Sequence, residues 1–298
     1  MYADAIISPP PGASTLPTYD GGWLTDDPAP EPFLSYVDDP SVNWSEDLEV
    51  LHEEASRTHF IDRWTRSAVI ERVVVSGPDA TIADVGCSTG YLLEDLHAAY
   101  PNAVLFGVDL IAAGLRKAHE IVPVARLLHA DACALPIADA SVDAVVSVNL
   151  LEHIKDDRGA LAQIFRVLRP GGRAVVVVPA GPRTYDYYDR FLGHERRYAR
   201  SELPSKCAQV GLEPLEELSI AALPYPAFWA VKQHNRLRFG DLRGDELAAR
   251  VAADIGRTSD SKLGHIAWQV ERRLTRSGVR LPFGIRWLVV ARRPGVAP

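Results

Sequence analysis

An alternation of short apolar runs with helical patterns dominates the middle of this 298-residue chain. Strands that alternate with helices predict a doubly wound sheet, because each connecting helix packs back onto one face. The run at 173–178 is unbroken and mostly β-branched, which is typical of a strand buried on both faces. We therefore predict an α/β fold with a mostly parallel sheet of seven strands. The predicted strands are 80–85, 104–108, 125–129, 142–148, 173–178, 215–220 and 284–292, and the predicted helices between them are 91–100, 112–121, 158–168 and 201–210.

Proline and acidic residues set residues 1–45 apart from the rest of the chain. Proline lacks a backbone donor, so this composition predicts an extended arm and not a core element. Its aromatic residues either cover a substrate pocket or simply pack; they are Trp23, Phe33, Tyr36 and Trp44. Helical spacing of apolar residues follows from 45 to 75. We predict a ligand-binding core at 46–220, and a helical insertion that caps the substrate, with a final core strand, within 221–298.

Charge and cysteine content exclude several classes of protein. The net charge is −7, which argues against nucleic acid as a partner, because phosphate backbones bind basic surfaces. Residues 181–298 carry 20 Lys and Arg against 13 Asp and Glu, which fits solvated faces, or else an anionic substrate or membrane surface. The three cysteines form no CxxC pair, so we expect no disulfide framework, no zinc site and a cytoplasmic location. No apolar run approaches the ~20 residues of a membrane span, and we expect no secretory signal.

The sequence DVGCSTG at 84–90 predicts a glycine turn between a strand and a helix. A dinucleotide-binding turn would read G-x-G-x-x-G, and this turn has Ser88 in place of the second glycine. A ligand with one ribose and no pyrophosphate does not need that close backbone approach. Asp109 ends the next strand, where an acid binds ribose hydroxyls, and Asp131 ends the third strand, where it meets an adenine amine. The spacing predicts an adenosine-like ligand; the alternative is a plain α/β core with chance acids at its strand ends.

Successive segments resemble the motifs of the class I S-adenosylmethionine-dependent methyltransferases. They read IADVGCSTGYLL, FGVDL, HADACALP, VDAVVSVNLLEHI and VLRPGGRAVVVVP. The segment PAGPRTYDYYDRFLGHERRYARSEL resembles a bacterial subgroup with a Gly-His-x-Arg-Arg-Tyr loop after the fifth strand. The resemblance covers residues 50–220 and implies a Rossmann-like fold, S-adenosylmethionine as cofactor and S-adenosylhomocysteine as product. Members of the subgroup are often linked to the modification of sugars, glycolipids or secondary metabolites.

The resemblance also implies roles for single residues around the donor. Asp109 would take the ribose hydroxyls, Leu110 would pack on the adenine, and Asn149 would face the methionine end. Asp131 and Ala132 would read the adenine edge. The methionine and ribose side would be lined by Asp84, Gly86, Cys87, Ser88 and Gly90. Ser88 departs from the glycine of many members, but a small hydroxyl side chain is tolerated at that place.

Methyl transfer from a sulfonium is an in-line displacement, so much of the catalysis is alignment. A general base is needed only when the acceptor must lose a proton. The candidates are Glu152 and His153 after the fourth strand and His194 after the fifth, unless these side chains merely cap or pack. The predicted substrate wall consists of Tyr185, Tyr188, Arg196, Arg197 and Tyr198, although the arginines could instead pair with carboxylates of the loop. No spacing of His, Asp or Glu predicts a metal.

These features predict a methyltransferase for a small-molecule acceptor. The atom that it methylates is predicted to be oxygen, with nitrogen or carbon as the next alternatives. The first alternative keeps the fold and the donor but catalyses a cyclisation or rearrangement, since fold does not fix function. A non-catalytic binding protein and a methyltransferase for protein or nucleic acid are further alternatives. Residues 262–276 predict a basic amphipathic helix that packs on the domain or else contacts a membrane. The sequence leaves the oligomeric state open, a homodimer included.

Overall fold

The computed structural model describes residues 6–25, 29–37, 57–244, 246–247, 250–251 and 262–295. Its strands are β1 Thr18–Tyr19, β2 Trp23–Leu24, β3 Phe33–Ser35, β4 Thr81–Val85, β5 Val104–Asp109, β6 Arg126–His129, β7 Val142–Val148, β8 Leu168–Pro179, β9 Glu213–Ile220 and β10 Arg286–Arg292. Its helices are α1 Phe60–Ile70, α2 Tyr91–Ala99, α3 Ala112–Ile121, α4 Asp157–Val167, α5 Tyr187–Phe191, α6 Glu202–Gln209, α7 Tyr225–Phe239 and α8 Lys262–Arg276. The predicted α/β class is confirmed.

The central sheet has the strand order β3-β6-β5-β4-β7-β8-β10-β9. Neighbouring strands from β3 to β8 are parallel, and β10 runs antiparallel between β8 and β9. Helices cover both faces: α4 and α6 pack on one through Ile164 and Leu203, and α2 and α3 on the other through Leu93 and Leu115. Because the connections are helical, the carboxyl ends of the parallel strands meet at one edge, where ligands bind in such folds.

The sheet has eight strands, not seven, because the N-terminal arm supplies β3. Leu34 lies opposite Leu128 of β6, and the Trp23 indole, fully buried, donates a hydrogen bond to the Leu127 carbonyl at 2.9 Å. The described part of the arm therefore contributes a strand and buried side chains to the core, where the sequence predicted no core element. The aromatic side chains, and not the prolines, determine its position, since burial of a large ring outweighs local chain preference.

Two predicted boundaries differ from the structure. Strand β8 starts at Leu168, before the Pro-Gly-Gly turn where a break was expected. Gly171 adopts φ +85°, a conformation that glycine adopts without steric cost, and the register against β7 shifts between Val142 and Ala144. The described helix of the region expected to be helical from residue 45 is α1. Residues 45–56 of that region and Trp44 of the predicted arm lie outside the described residues.

Helices α7 and α8 form most of the described part of the predicted insertion. The Trp268 ring of α8 stacks on Trp64 of α1 with the centroids 6.4 Å apart, and the Arg272 guanidinium donates to Glu71 of the chain after α1. These contacts fit the packing role of α8, although Leu263 is 79% exposed. A role of this helix at a membrane stays a prediction. Within the described ranges, no helix combines the length and the apolarity that crossing a bilayer requires.

Candidate active site

A cavity of about 490 Å³ opens at the edge where the carboxyl ends of the parallel strands meet. Its floor comes from the turns after β4, β5, β6 and β7, and its walls come from α1, α7, β10 and the segment after β8. A pocket of this volume at this edge of an open α/β sheet is the expected place for a small ligand.

The turn after β4 approaches its neighbours closely. Gly86 has φ +85°, and a Cβ on it would lie 2.9 Å from the Leu150 side chain. Gly90 has φ +86°, and a Cβ there would lie 2.9 Å from Ala118 of α3. Ser88 also adopts a left-handed conformation, with φ +46°, which is uncommon for residues other than glycine. The position that departs from the family's glycine therefore keeps the backbone conformation that glycine favours.

Asp109 anchors this turn from the end of β5. The Ser88 amide donates to Asp109 Oδ2 at 2.8 Å, and the Ile111 amide donates to Asp109 Oδ1 at 2.9 Å. Burial raises the pKa of Asp109, while these backbone donors act to lower it. Each carboxylate oxygen accepts more than one hydrogen bond, so both oxygens can still bind a pair of neighbouring hydroxyls.

Asp84 lies at the end of β4 and is 1% exposed. Its Oδ1 has no hydrogen-bond partner among the described residues. Burial, with the nearby charge of Asp109, raises the pKa of Asp84 to about 8. The buried carboxyl group of Asp84 and the half-buried one of Asp109, at the base of one cavity, favour a ligand that carries positive charge.

Glu152, His153 and His194 converge on the other side of the cavity. One ligand atom from each lies within 4.8 Å of the others, and the two imidazole centroids are 4.7 Å apart. Glu152 is 1% exposed, and its Oε2 has no partner among the described residues. Burial raises the pKa of Glu152, although the charges of His194, Arg286 and Arg197 act in the opposite direction.

A buried network fixes the orientation of His194. His194 Nδ1 lies 3.0 Å from Asp189 Oδ1, which also accepts a hydrogen bond from Arg197 Nε at 2.6 Å. Lys232 of α7 contacts the other oxygen of Asp189 at 3.3 Å and Asp186 at 2.7 Å. Burial alone would raise the pKa of Asp189, but the hydrogen bond from His194 and the charges of Arg197 and Lys232 hold that pKa well below its usual range. An ionised carboxylate only accepts, so Nδ1 of His194 carries the proton of this hydrogen bond, and Nε2 is the ring nitrogen left for another partner.

Most of the residues predicted from the sequence line this cavity. They are Asp84, Gly86, Cys87, Ser88, Asp109, Leu110, Asp131, Ala132, Asn149, Glu152, His153, Tyr188, His194 and Arg197. Gly90 instead precedes the first residue of α2. The structure brings these side chains together; their roles in binding and catalysis stay predictions.

Three residues of the predicted substrate wall lie elsewhere. The Tyr198 ring is fully buried, and its hydroxyl donates to Asp157 at 2.8 Å. Arg196 forms an ion pair with Asp157 at 2.9 Å. The Tyr185 hydroxyl donates to the carbonyl of His194 at 2.7 Å, so this residue holds the loop and does not line the cavity. The alternative that an arginine of this loop pairs with a carboxylate of the loop holds for Arg197, with Asp189, whereas Arg196 pairs with Asp157 of α4.

The sequence analysis did not predict the cavity residues that come from α1, α7 and β10, which lie outside the glycine-turn motif and the strand-end motifs. The additional lining residues include His59, Arg66, Phe228, Lys232 and Arg286. Lys232 sits in a helix with little amphipathic pattern, and Arg286 opens a strand at the other end of the chain. Neither has a sequence signal beyond its charge, since only the folded chain brings α1, α7 and β10 to this edge.

Comparison with known proteins gives the same picture. Residues 83–176 match the family model described as "Methyltransferase domain". The demethylmenaquinone methyltransferase of Thermus thermophilus is 36% identical over 119 residues, which are 39% of this chain and 53% of that protein. The chain therefore matches about half the length of that relative.

Solved structures share the fold at low sequence identity. A chain of the complex between the Haloferax volcanii Trm112 methyltransferase activator and a methyltransferase superposes with a TM-score of 0.59 at 22% identity, covering 85% of this chain and 97% of that chain. The [4+2]-cyclase SpnF superposes with a TM-score of 0.51 at 19% identity, covering 78% of this chain and 81% of that chain.

The sheet order and the superposed structures show that the chain has the fold of the class I methyltransferases. Residues 83–176, which run from strand β4 to strand β8 of that fold with the helices between them, are the part that matches the methyltransferase-domain model.

Proposed function

We propose that this chain transfers the methyl group of S-adenosylmethionine to an oxygen of a small-molecule acceptor and releases S-adenosylhomocysteine. The observation that carries the proposal is the pair of sites within one cavity: acids at the ends of β4, β5 and β6, and a polar cluster of Glu152, His153 and His194 facing the same space. The acids at the strand ends fit an adenosyl sulfonium, and the polar cluster fits an acceptor that must lose a proton.

The acidic side of the cavity supports the donor assignment. Asp109 offers two anchored oxygens to the ribose hydroxyls, and Asp131, whose Oδ1 accepts from the Cys133 amide at 2.8 Å, lies at the adenine side. The buried carboxyl of Asp84 favours the positive charge of the sulfonium and of the amino group. Asn149 and Leu150 lead from the donor turn to Glu152, so the methyl end of the donor would point toward the polar cluster.

The reaction needs little beyond alignment and removal of one proton. The acceptor oxygen forms a bond to the methyl carbon while the bond from carbon to sulfur breaks, and the sulfur becomes neutral. The hydroxyl proton must leave, and the polar cluster is the group in the cavity suited to promote this. Tyr188 and Phe228 offer ring faces for the body of the acceptor, which supports a sugar, glycolipid or secondary metabolite as substrate.

Titration calorimetry of the purified protein with S-adenosylmethionine, S-adenosylhomocysteine and NAD tests the donor. We expect micromolar binding of both adenosyl ligands and none of NAD. Incubation with methyl-labelled donor and a panel of hydroxylated sugars, glycolipids and phenols then tests transfer by the appearance of labelled product. Absence of adenosyl binding in folded protein would reject the proposal.

A second candidate function is a cyclisation or rearrangement that keeps the fold and the donor. The similarity to the [4+2]-cyclase SpnF favours its inclusion. Mass spectrometry of product separates the two, because a cyclisation leaves the mass of the acceptor unchanged and a transfer adds one methyl group. We also propose a cytoplasmic location, which fits the finding that Cys87, Cys133 and Cys207 form no disulfide with one another.

The affinity for S-adenosylmethionine is expected to rise with pH and to level off above about 8. The pKa of Asp84 is raised to about 8 in the free protein, so at lower pH a cationic ligand must displace a proton from it. The affinity then gains up to about tenfold for each pH unit below that pKa. Calorimetry in two buffers of different ionisation enthalpy measures the released proton. S-adenosylhomocysteine, which lacks the sulfonium charge, should release a smaller number of protons, and so should the Asp84→Asn variant with S-adenosylmethionine. Equal proton release by wild type and Asp84→Asn would contradict this assignment.

A further inference from the structure

We propose that Glu152, His153 and His194 form a site for one divalent transition-metal ion of the zinc type. The inference rests on the proposed function, because it names the means by which the acceptor loses its proton. Two imidazoles and one carboxylate are a common ligand set for catalytic zinc, which keeps a further position for water or substrate. The ligand atoms of the three residues lie within 4.8 Å of one another.

Backbone contacts hold the two segments that carry these side chains. Glu152 and His153 lie in the single turn Leu151–His153 directly after β7, and His194 follows α5. The Glu195 amide donates to the Glu152 carbonyl at 2.7 Å and joins the two segments next to the ligands. Zinc bonds of about 2.0–2.2 Å place ligand atoms about 3.4 Å apart, so small rotations of the side chains would complete the site.

Asp189 supplies the outer interaction that metal-binding histidines usually have. A histidine that binds a metal through one nitrogen commonly donates its other N–H to a carboxylate, which fixes the tautomer and the ring. Asp189 Oδ1 lies 3.0 Å from Nδ1 of His194, and Asp189 is itself held by Arg197 and Lys232. This leaves Nε2 of His194 for the metal.

One oxygen of the buried Glu152 carboxyl group has no hydrogen-bond partner among the surrounding side chains of the described residues. This oxygen is Oε2, and the side chain lines the cavity. The nearby guanidinium groups bind elsewhere: Arg197 donates to Asp189 at 2.6 Å, and Arg286 donates to Asp62 at 2.6 Å. A buried acceptor without a partner costs free energy, and a metal ion at this place would satisfy it.

The ion would hold the acceptor oxygen on the side of the cavity that faces the donor. A divalent metal lowers the pKa of a bound hydroxyl, so the proton leaves to water and the oxygen attacks the methyl group as an alkoxide. Glu152 and His194 then act as ligands, and their loss would lower turnover for that reason.

The test uses full-length, untagged protein treated with a chelator and then titrated with Co²⁺, followed by visible absorption, and with Zn²⁺, followed by competition with a chromophoric chelator. We expect one equivalent of each ion to bind. Glu152→Gln keeps the shape of the side chain, and His194→Ala removes a ligand; each should weaken binding by at least about 100-fold, since even outer-shell changes cost 10- to 100-fold. His234→Ala, an exposed histidine on α7, is the matched control and should bind as wild type does.

Calorimetry with S-adenosylmethionine on the same samples separates the two proposals. Intact donor binding in both variants shows that the fold and the donor side persist. Wild-type protein that binds neither ion, or variants that bind both ions as wild type does, would overturn the metal site and leave the proposed methyl transfer in place. If the wild-type protein binds the metal ions but not S-adenosylmethionine, the proposed function is rejected and the proposed metal site stands.

Discussion

Turnover of the His194→Ala variant is expected to fall by about 10²- to 10⁴-fold, the usual contribution of a group that manages proton transfer. His194 lines the cavity on its proposed acceptor side, and its hydrogen bond to Asp189, not to the donor turn, fixes the orientation of its ring. The affinity for S-adenosylmethionine should therefore change little. Release of S-adenosylhomocysteine in the presence of an acceptor measures the turnover, and calorimetry measures the donor affinity.

The control for this variant is His234→Ala, which removes an exposed histidine of α7 and should keep full turnover. Tyr185→Phe gives an intermediate comparison, because it removes the hydroxyl that donates to the His194 carbonyl and leaves the imidazole in place. If His194→Ala turns over as fast as wild type, the polar cluster has no part in the reaction, and acceptor activation must come from another group.

Asp109→Ala is expected to weaken the binding of S-adenosylmethionine by at least about 100-fold. Hydrogen bonds to a charged group are worth about 1.5–3 kcal/mol each, and two ribose hydroxyls would lose their acceptor. The change also frees the amides of Ser88 and Ile111, which loosens the glycine turn. Titration calorimetry measures the loss, and thermal unfolding reports whether the fold persists.

Two variants make the Asp109 result specific. Asp109→Asn keeps one carbonyl acceptor and should retain more affinity than Asp109→Ala. Asp79→Ala removes an exposed acid just before β4, at the end of that strand that lies away from the cavity. This variant should bind the donor as wild type does. Unchanged binding by Asp109→Ala would mean that the ribose lies away from the end of β5.

The strands of the parallel core could be predicted from the sequence, because a strand that is buried on both faces consists of a continuous run of apolar residues. In β4 every residue is buried, and the predicted run 80–85 differs from Thr81–Val85 by a single residue. The turn DVGCSTG and the acids Asp109 and Asp131 likewise sit at strand ends, where the fold brings consecutive motifs together. Fold class and the floor of the cavity were therefore predictable from local patterns.

The remaining parts depend on contacts between distant segments. The eighth strand, Phe33–Ser35, is three residues long, and nothing local shows that it pairs with β6. Tyr198 was assigned to the substrate wall because aromatic loop residues often face ligands, yet its hydroxyl bonds to Asp157 of α4. The sequence also predicted no metal, since His194 is separated from Glu152 and His153 by α4 and β8, and only the folded chain places the three together.

The arm strand β3 has a consequence for how the protein stays dispersed. Without it, β6 would present unpaired amides and carbonyls along the rim of the sheet, and such a rim recruits strands from other molecules. β3 occupies that position at the rim of the sheet. Because β3 is short and follows Pro32, it is itself a poor partner for a strand from another molecule. An arm-deleted protein should lose the core contacts of Trp23 and Leu34 and become prone to aggregation through β6.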